Sequence, residues 1–490
     1  MPGGIAVTRI RKVSMHIAVI GTGYVGLVCG GSFASFGNKV ICVDADARKI
    51  EGLNAGRMPI FEPGLREMIV QQSSEGRLQF TTNIGAAIPC ADVVFLTVGT
   101  PPRPGGRADL SFVYQCASSV AGHLRGYTVI VLKSTVPLGT AEEIEAIIRA
   151  ERAAGSWSVA SNPEFLREGA AIADFMRPDR IVIGSEDERS RHVLARLYRP
   201  LRQQGVPIVF TNRRTAELIK YAANGFLATK IAYMGEIADL CEKAGADVRQ
   251  VALGMGLDRR ISEQFLQPGP GYGGSCFPKD ASALVATARQ FGASPRILPS
   301  VIAANEARKR AMVDKIVDSC GGSVRRKRIA ILGLTFKPGT DDVREAASLV
   351  IIPNLEALGA RVRAYDPAGV EQARKSLPRL RTAKDAYACT RQCDAVVILT
   401  EWEQFRTLDL NRLKAELRTP IIVDLRNIYE PEEMARHGFQ YTGVGRPALG
   451  GKSAVRSVDE LPPALASRRP AAHDQDTGPL QARKKIRADA

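Results

Sequence analysis

Residues 16–44 read HIAVIGTGYVGLVCGGSFASFGNKVICVD, and the fold follows from how that stretch alternates. HIAVI is an apolar run with no polar alternation, the pattern of a strand buried on both faces. Gly21-Thr-Gly23-Tyr-Val-Gly26 then breaks the run and opens a helix, and KVICVD is a second strand that ends on Asp44. In such a turn the first glycine permits the tight bend. The second lets backbone approach a pyrophosphate, and the third lets helix and strand pack closely. Helix N-terminal amides then face the phosphates. Asp44, about 20 residues past Gly21, suits a carboxylate on ribose hydroxyls and favours NAD over NADP. Arg48 and Lys49 blur that preference, since either could meet a 2′-phosphate.

Outward from this unit, ADVVFLTVGT, TVIVLKSTV, WSVASN and RIVIGS repeat the buried-strand pattern between helical stretches. That alternation predicts a doubly wound parallel sheet. From about Thr215 to Lys315 the period becomes helical, with Leu218, Tyr221, Ala222, Gly225, Ala228, Ile231, Ala232 and Ile237 at helical spacing. The strand period returns in RIAILGLTF, RVRAYDP, DAVVILT and PIIVDLRN. The predicted class is α/β: two Rossmann-like doubly wound parallel-sheet domains joined by a central helical domain with a long connecting helix. The expected boundaries are an extension at 1–14, a nucleotide-binding domain at 15–212, the helical domain at 213–322, a second α/β domain at 323–449 and a disordered tail at 450–490.

The chain has 490 residues, 45% of them hydrophobic and 24% charged, a globular multidomain composition that excludes extensive disorder and a disulfide-stapled miniprotein. The net charge of +16 favours anionic partners. The basic residues are dispersed, however, and 6% aromatics is poor material for base stacking, so nucleic acid is not expected. Nine scattered cysteines without a C-x-x-C point to a reducing, cytoplasmic setting. Five histidines without an H-E-x-x-H pair give no support for a metal site. Arg9, Arg11 and Lys12 before the apolar stretch His16–Phe36 imitate a signal peptide, but glycines interrupt that stretch. No segment is long and apolar enough to predict a membrane span.

The second informative stretch is GPGYGGSCFPKD, residues 269–280. Backbone this permissive occurs where a chain must wrap a ligand or expose a side chain. Cys276 there, followed by Lys279 and Asp280, is a candidate nucleophile: a nearby cation lowers a thiol pKa and a carboxylate can move protons. Taken alone, a buried inert cysteine is the safer reading of this residue. Lys220 and Asn224, four apart, share one helical face.

Together with GTGYVG, these motifs form an ordered series: VDADARKIEGLNAGRMPIFEPGL, VGTPP, KSTVPLGT, NPEFLREGAAIADFMRPDRIVIG, AELIKYAANGFLATKIAY, GLDRRI, GPGYGGSCFPKD, GLTFKPGTDDVRE and DLRN. The series resembles the UDP-glucose/GDP-mannose dehydrogenase family from Met15 to about Arg446, nearer to its UDP-glucose branch than to relatives acting on GDP-mannose or UDP-N-acetyl-hexosamines. The resemblance implies NAD-dependent four-electron oxidation of UDP-glucose to UDP-glucuronate through a cysteine thiohemiacetal and thioester, in a homodimer or higher homo-oligomer. It implies NAD contacts from Val25, Asp44, Lys49, Thr100, Thr135, Glu168, Lys279 and Arg344, beside the turn glycines Gly21, Gly23 and Gly26. It gives the UDP-sugar to Glu164, Phe165, Leu166, Arg167, Glu168, Lys220, Asn224, Arg260, Phe265, Leu266, Gln267, Pro268, Gly269, Gly273 and Lys337. Cys276 would be the nucleophile, assisted by Lys220, Asp280, Glu164, Asn224 and Thr135. Three places depart from the family pattern: Gly235 stands where Asn is frequent, Ser262 where Gly is common, and Ala346-Ala347 replace Ser-Pro.

Overall fold

The computed structural model describes residues 14–152 and 156–447. All of the expected extension except Ser14, and the whole expected tail, lie outside the described residues. Eight strands make the first sheet: β1 (His16–Ile20), β2 (Lys39–Val43), β3 (Leu78–Thr81), β4 (Val93–Leu96), β5 (Thr128–Leu132), β6 (Trp157–Ser161), β7 (Ile181–Gly184) and β8 (Ile208–Thr211). Their order is β3-β2-β1-β4-β5-β6-β7-β8. It reverses at β1, which lies between β2 and β4 with Ile17 opposite both Val40 and Val93. Such a reversal opens a crevice at the carboxyl ends of the strands, where ligands of doubly wound sheets bind. β4 and β5 are buried along their whole length, as their uninterrupted Val/Ile/Leu content demands.

The sheet departs from the all-parallel expectation at one junction. β6 and β7 pair antiparallel through the single contact Ser161–Gly184. The reason lies in their connection, which supplies Asn162–Glu168 and Arg177–Arg180 to the wall of a cleft. Because that segment stays near the carboxyl end of β6, the chain re-enters the sheet from the same side and β7 runs in the opposite sense. The sequence reading also missed β3 and β8, which are edge strands of only four residues. β4 and β7 are as short but buried throughout, whereas β3 is buried at alternate positions and β8 at none, so neither carries an unbroken buried run and each takes its strand character from the neighbour it pairs with.

The first helix, α1 (Tyr24–Ser35), is fixed to the sheet by Phe33, which stacks on Phe95 at 5.0 Å and meets Phe175 edge-on at 5.1 Å. Helix α2 (Thr140–Glu151) follows β5. The long helix α3 (Arg213–Ala244) has 32 residues and is therefore about 48 Å long. Asn212 caps it by accepting the Thr215 N–H at 2.7 Å, and Gly245 ends it in the left-handed region at φ +73°. Its buried face carries Glu217, Lys220, Tyr221, Asn224, Gly225 and Ala228. Leu218, expected on the apolar face, is instead exposed on the side that carries Phe226, Tyr233 and Leu240. Helices α4 (Phe277–Gln290) and α5 (Ile297–Ser319) pack against α3.

A second sheet of β9 (Arg328–Leu332), β10 (Arg361–Tyr365), β11 (Ala395–Ile398), β12 (Ile421–Asp424) and β13 (Gln440–Thr442) has the order β10-β9-β11-β12-β13 and is parallel throughout. No helix among the described residues is long and apolar enough to cross a membrane.

Candidate active site

Two features suited to ligands stand out, and the second contains Cys276. The first is the β1–α1 turn. Gly21 has φ +105°, and its N–H reaches Val43 O at 2.7 Å. A Cβ on Gly26 would stand 1.9 Å from Gly21 O, so the third glycine is a steric requirement, whereas one on Gly23 would meet nothing within 4 Å. The α1 N-terminus carries no side-chain cap, which leaves its first amides for a phosphate. Asp44 accepts the Thr22 N–H at 2.8 Å and hydroxyl at 2.7 Å, with Lys49 Nζ at 3.6 Å. Burial pushes the Asp44 carboxyl up, but the hydrogen bonds from Thr22 and Asp46 and the charge of Lys49 outweigh it and hold it below the usual range. An open turn, free helix amides and an ionised acid at the second strand end fit a dinucleotide.

The second sheet repeats this turn with a different outcome. Gly333 has φ +97° and donates to Tyr365 O at 2.8 Å, and Asp366 stands where Asp44 does in the first sheet. Asp366 is spent on its own fold, however. It accepts from the backbone of Leu334, Thr335, Ala368 and Gly369 and from the Trp402 indole, and it is 3% exposed. Asp366 is therefore more enclosed than Asp44, whose side chain is 14% exposed.

The other feature is a cleft of about 490 Å³. Its walls come from the β6–β7 connection (Glu164, Phe165, Leu166, Arg167, Glu168), from α3 (Lys220, Asn224), from the loop before α4 (Phe265, Gly273, Cys276) and from Lys337 beyond β9. Gly273 belongs there because a Cβ would lie 2.4 Å from Glu345 O. Cys276 sits at the start of α4, with Ser275 Oγ 3.5 Å from its sulfur.

Ion pairs order this wall. Lys220 Nζ lies 2.9 Å from Glu164 Oε1, with both side chains almost fully buried. The other Glu164 oxygen accepts the Leu166 N–H. Asn224 Nδ2 donates to Asp280 Oδ2 at 2.7 Å, and the other oxygen of Asp280 pairs with Lys279. Burial alone would pull Lys220 down, but Glu164, Cys276 and Asp280 outweigh it, so the amine stays a cation. For Cys276 the balance runs the other way: burial pushes the thiol above its ordinary range, and Lys220 offsets this only in part. The cation that faces the thiol is thus Lys220 on α3, while the sequence neighbour Lys279 is engaged by Asp280.

Glu168 ties the cleft to the second sheet: it accepts from Ser275 Oγ at 2.9 Å and Thr340 Oγ1 at 3.1 Å, with Arg344 at 3.7 Å. Thr100 Oγ1 donates to Thr135 O at 2.9 Å, joining two of the expected cofactor residues. Five expected substrate residues do not line the cleft. Arg260 is exposed and forked onto Asp258, with 2.6 Å at the closest. Leu266 is packed into the core with Met312, Pro268 is buried, Gln267 points outward, and Gly269 lies against Arg426.

Three family models match successive parts of the chain: the NAD binding, central and UDP binding domains of UDP-glucose/GDP-mannose dehydrogenases, over residues 15–202, 214–307 and 330–431. The chain belongs to the UDP-glucose/GDP-mannose dehydrogenase family. It is 54% identical to the UDP-glucose 6-dehydrogenase of Rhizobium meliloti (strain 1021) over 88% of this chain and 100% of that protein. Identity to the UDP-glucose 6-dehydrogenase TuaD of Bacillus subtilis (strain 168) is 46%, over 89% of this chain and 94% of that one. The solved UDP-glucose dehydrogenase of Pyrobaculum islandicum superposes with a TM-score of 0.82 at 38% identity, covering 89% of this chain and 99% of that one. As a member of the UDP-glucose/GDP-mannose dehydrogenase family the protein is an NAD-dependent oxidoreductase.

Two polar residues of this family member escaped the sequence reading. Lys133 lines the cleft, 3.0 Å from Asn162 Oδ1 and 3.3 Å from the Tyr198 hydroxyl, and burial pulls its amine below the usual lysine range. Glu217 lies one turn before Lys220 and is 3% exposed. A strand-end lysine and a helix glutamate read as solvated in a sequence; only the packing shows them enclosed.

Proposed function

We propose that the protein oxidises the primary alcohol of UDP-glucose to the carboxylate of UDP-glucuronate, with Cys276 holding the substrate covalently between two oxidations. The observation that carries this reading is the convergence of Cys276, Lys220, Glu164 and Asn224 on one cleft, with Asp280 hydrogen-bonded behind them. The 54% identity to a UDP-glucose 6-dehydrogenase supports UDP-glucose as the sugar nucleotide.

NAD, when bound, takes up the hydride in each of two oxidations. Gly21, Gly23, Val25 and Gly26 would hold its pyrophosphate and Asp44, with Lys49, its ribose, while Thr100, Thr135, Glu168, Lys279 and Arg344 would supply its remaining contacts. Phe165–Glu168, Phe265, Gly273 and Lys337, which line the cleft, would hold the UDP-sugar.

The first oxidation yields an aldehyde. The Cys276 thiolate adds to its carbon, forming a C–S bond while the carbonyl oxygen becomes an oxyanion. Lys220 has N–H donors beyond the one given to Glu164, and Asn224 has a second amide N–H beyond the one given to Asp280. Both are available to the oxyanion, a contribution of about 3–4 kcal/mol per donor. The resulting thiohemiacetal stands at the oxidation level from which a second oxidation gives a thioester. Water then adds, the C–S bond breaks, and the thiolate leaves. Asp280 takes the proton in this scheme, and Glu164 with Thr135 aligns the water. A thiol raised by burial is chemically consistent: it stays protonated until substrate binds and its proton is removed as the sulfur adds, which limits side reactions.

We infer a homodimer built on α3. Phe226, Tyr233 and Leu240, spaced by seven, are 67%, 50% and 60% exposed along one face, a stripe suited to a second copy. All nine cysteines are free, which supports a reducing, cytoplasmic location. The test of the reaction is stoichiometry, with two NADH expected per UDP-glucose consumed. Cys276→Ser should abolish steady glucuronate formation while retaining the fold and NAD binding. Turnover of that variant at the parental rate, or release of free aldehyde after one NADH, would remove the covalent mechanism.

A further inference from the structure

We propose that Glu217 is a positioning residue for this reaction: one buried carboxylate on which the three chain segments bearing Thr135, Glu164 and Lys220 converge. The inference rests on the catalytic reading above. Glu217 Oε2 accepts the Gly139 N–H at 2.8 Å, and Oε1 accepts the Ala141 N–H at 3.0 Å and the Ser161 hydroxyl at 3.2 Å. The partners come from two parts of the site, Gly139 and Ala141 from one and Ser161 from the other. Gly139 closes the loop that runs from Thr135 into α2. Ser161 ends β6, three residues before Glu164. Glu217 itself rides on α3, one turn before Lys220 and two before Asn224.

The local chemistry argues that this contact carries more than helix capping. The α2 N-cap is Gly139, at φ +93°, with no side chain to cap its own helix. A Ser or Asp would be the ordinary local solution; here the cap arrives from a residue on another helix. No cation lies within ion-pairing distance of Glu217 among the described residues. The α2 amides and a hydroxyl hold the buried carboxyl, and burial pushes it up to about 7. An anchor that is costly to bury is retained where it sets the relation between elements. Sub-ångström shifts among Thr135, Glu164 and Lys220 are what a loosened anchor would produce, and a misplacement of about 1 Å costs up to about a hundredfold in rate.

The test is Glu217→Gln, which keeps size and one acceptor but turns an amide NH₂ toward a backbone N–H. We expect kcat to fall about tenfold or more, the KM for NAD and for UDP-glucose to stay within about twofold, and the unfolding midpoint to move only slightly. A kcat within about twofold of the parent overturns the proposal, whatever happens to the midpoint, because a cap that serves α2 alone would touch stability and not rate. A rise in both KM values at constant kcat overturns it equally. If that variant does not accumulate as folded protein, Ser161→Ala removes only the β6 tie. It should then lower kcat a few-fold at constant KM, and an unchanged kcat refutes the anchor. Should the parent itself fail to oxidise UDP-glucose, the substrate assignment falls, and hydrogen exchange decides Glu217 separately. Faster exchange over residues 133–141 in Glu217→Gln supports the anchor, and unchanged exchange overturns it.

Discussion

Replacing Lys220 by Met tests whether the buried ion pair is the electrostatic centre of the site. Lys220 and Glu164 are 2.9 Å apart, with side chains 4% and 6% exposed. Removing one partner of a buried pair costs about 3–5 kcal/mol, because the other charge is left without a counter-ion. Glu164 keeps the Leu166 N–H and can escape part of the cost by taking up a proton, so the lower end, about 3 kcal/mol, applies. The rate should fall separately. Loss of one oxyanion donor costs about 3–4 kcal/mol of transition-state stabilisation, a fall in kcat of about a hundred- to a thousandfold. Urea unfolding of the ligand-free protein reads the first effect and NADH formation with UDP-glucose the second. A double-mutant cycle separates them: in a Glu164→Gln background, Lys220→Met should cost only about 1 kcal/mol of stability, while its effect on rate persists. A stability loss below about 1 kcal/mol in the single variant would mean that the pair is not enclosed as described. A fall in kcat of less than about tenfold would remove Lys220 from the oxyanion.

Three other outcomes are expected. Ser262 is held at φ +65°, so Ser262→Gly should stabilise the protein by about 1 kcal/mol in urea unfolding, and a loss would refute the strain. Gly235 lies inside the unbroken helix α3, where a Cβ would sit 3.7 Å from Arg308 beside a cavity of about 190 Å³. Gly235→Ala should therefore gain about 0.5–1 kcal/mol, and destabilisation would show that the space is not available. Burial holds the Cys276 thiol above its ordinary range. Its alkylation by iodoacetamide, followed on the Cys276 peptide by mass spectrometry, should accordingly keep rising with pH beyond about 9, since only the thiolate reacts. A plateau at pH 8 or below would contradict the burial argument.

Legibility in the sequence followed the strength of local constraint. β1, β4 and β5 were readable because strands buried on both faces must be apolar throughout. β3 and β8 were not, because four-residue edge strands are set by their neighbours. GxGxxG was readable because Gly26 has no sterically allowed substitute. The antiparallel β6–β7 junction was not, since it depends on which end of the sheet the connection occupies. Within the loop before α4, the sequence pointed to Cys276 with its chain neighbour Lys279, whereas the packing pairs Lys279 with Asp280 and brings the Lys220 charge from α3 to bear on the thiol.

From the order of residues alone came the α/β class, the dinucleotide turn, the candidate cysteine and the family resemblance, since each is written in short-range spacing or in motifs of contiguous residues. Tertiary structure alone decided which charges are paired. Glu164 with Lys220, Asn224 with Asp280, Glu217 with the α2 amides and the spent Asp366 are each determined by segments distant in the chain. The physical reason is that the state of a buried charge is set by desolvation and by its nearest partner. Neither exists until the chain has closed around it.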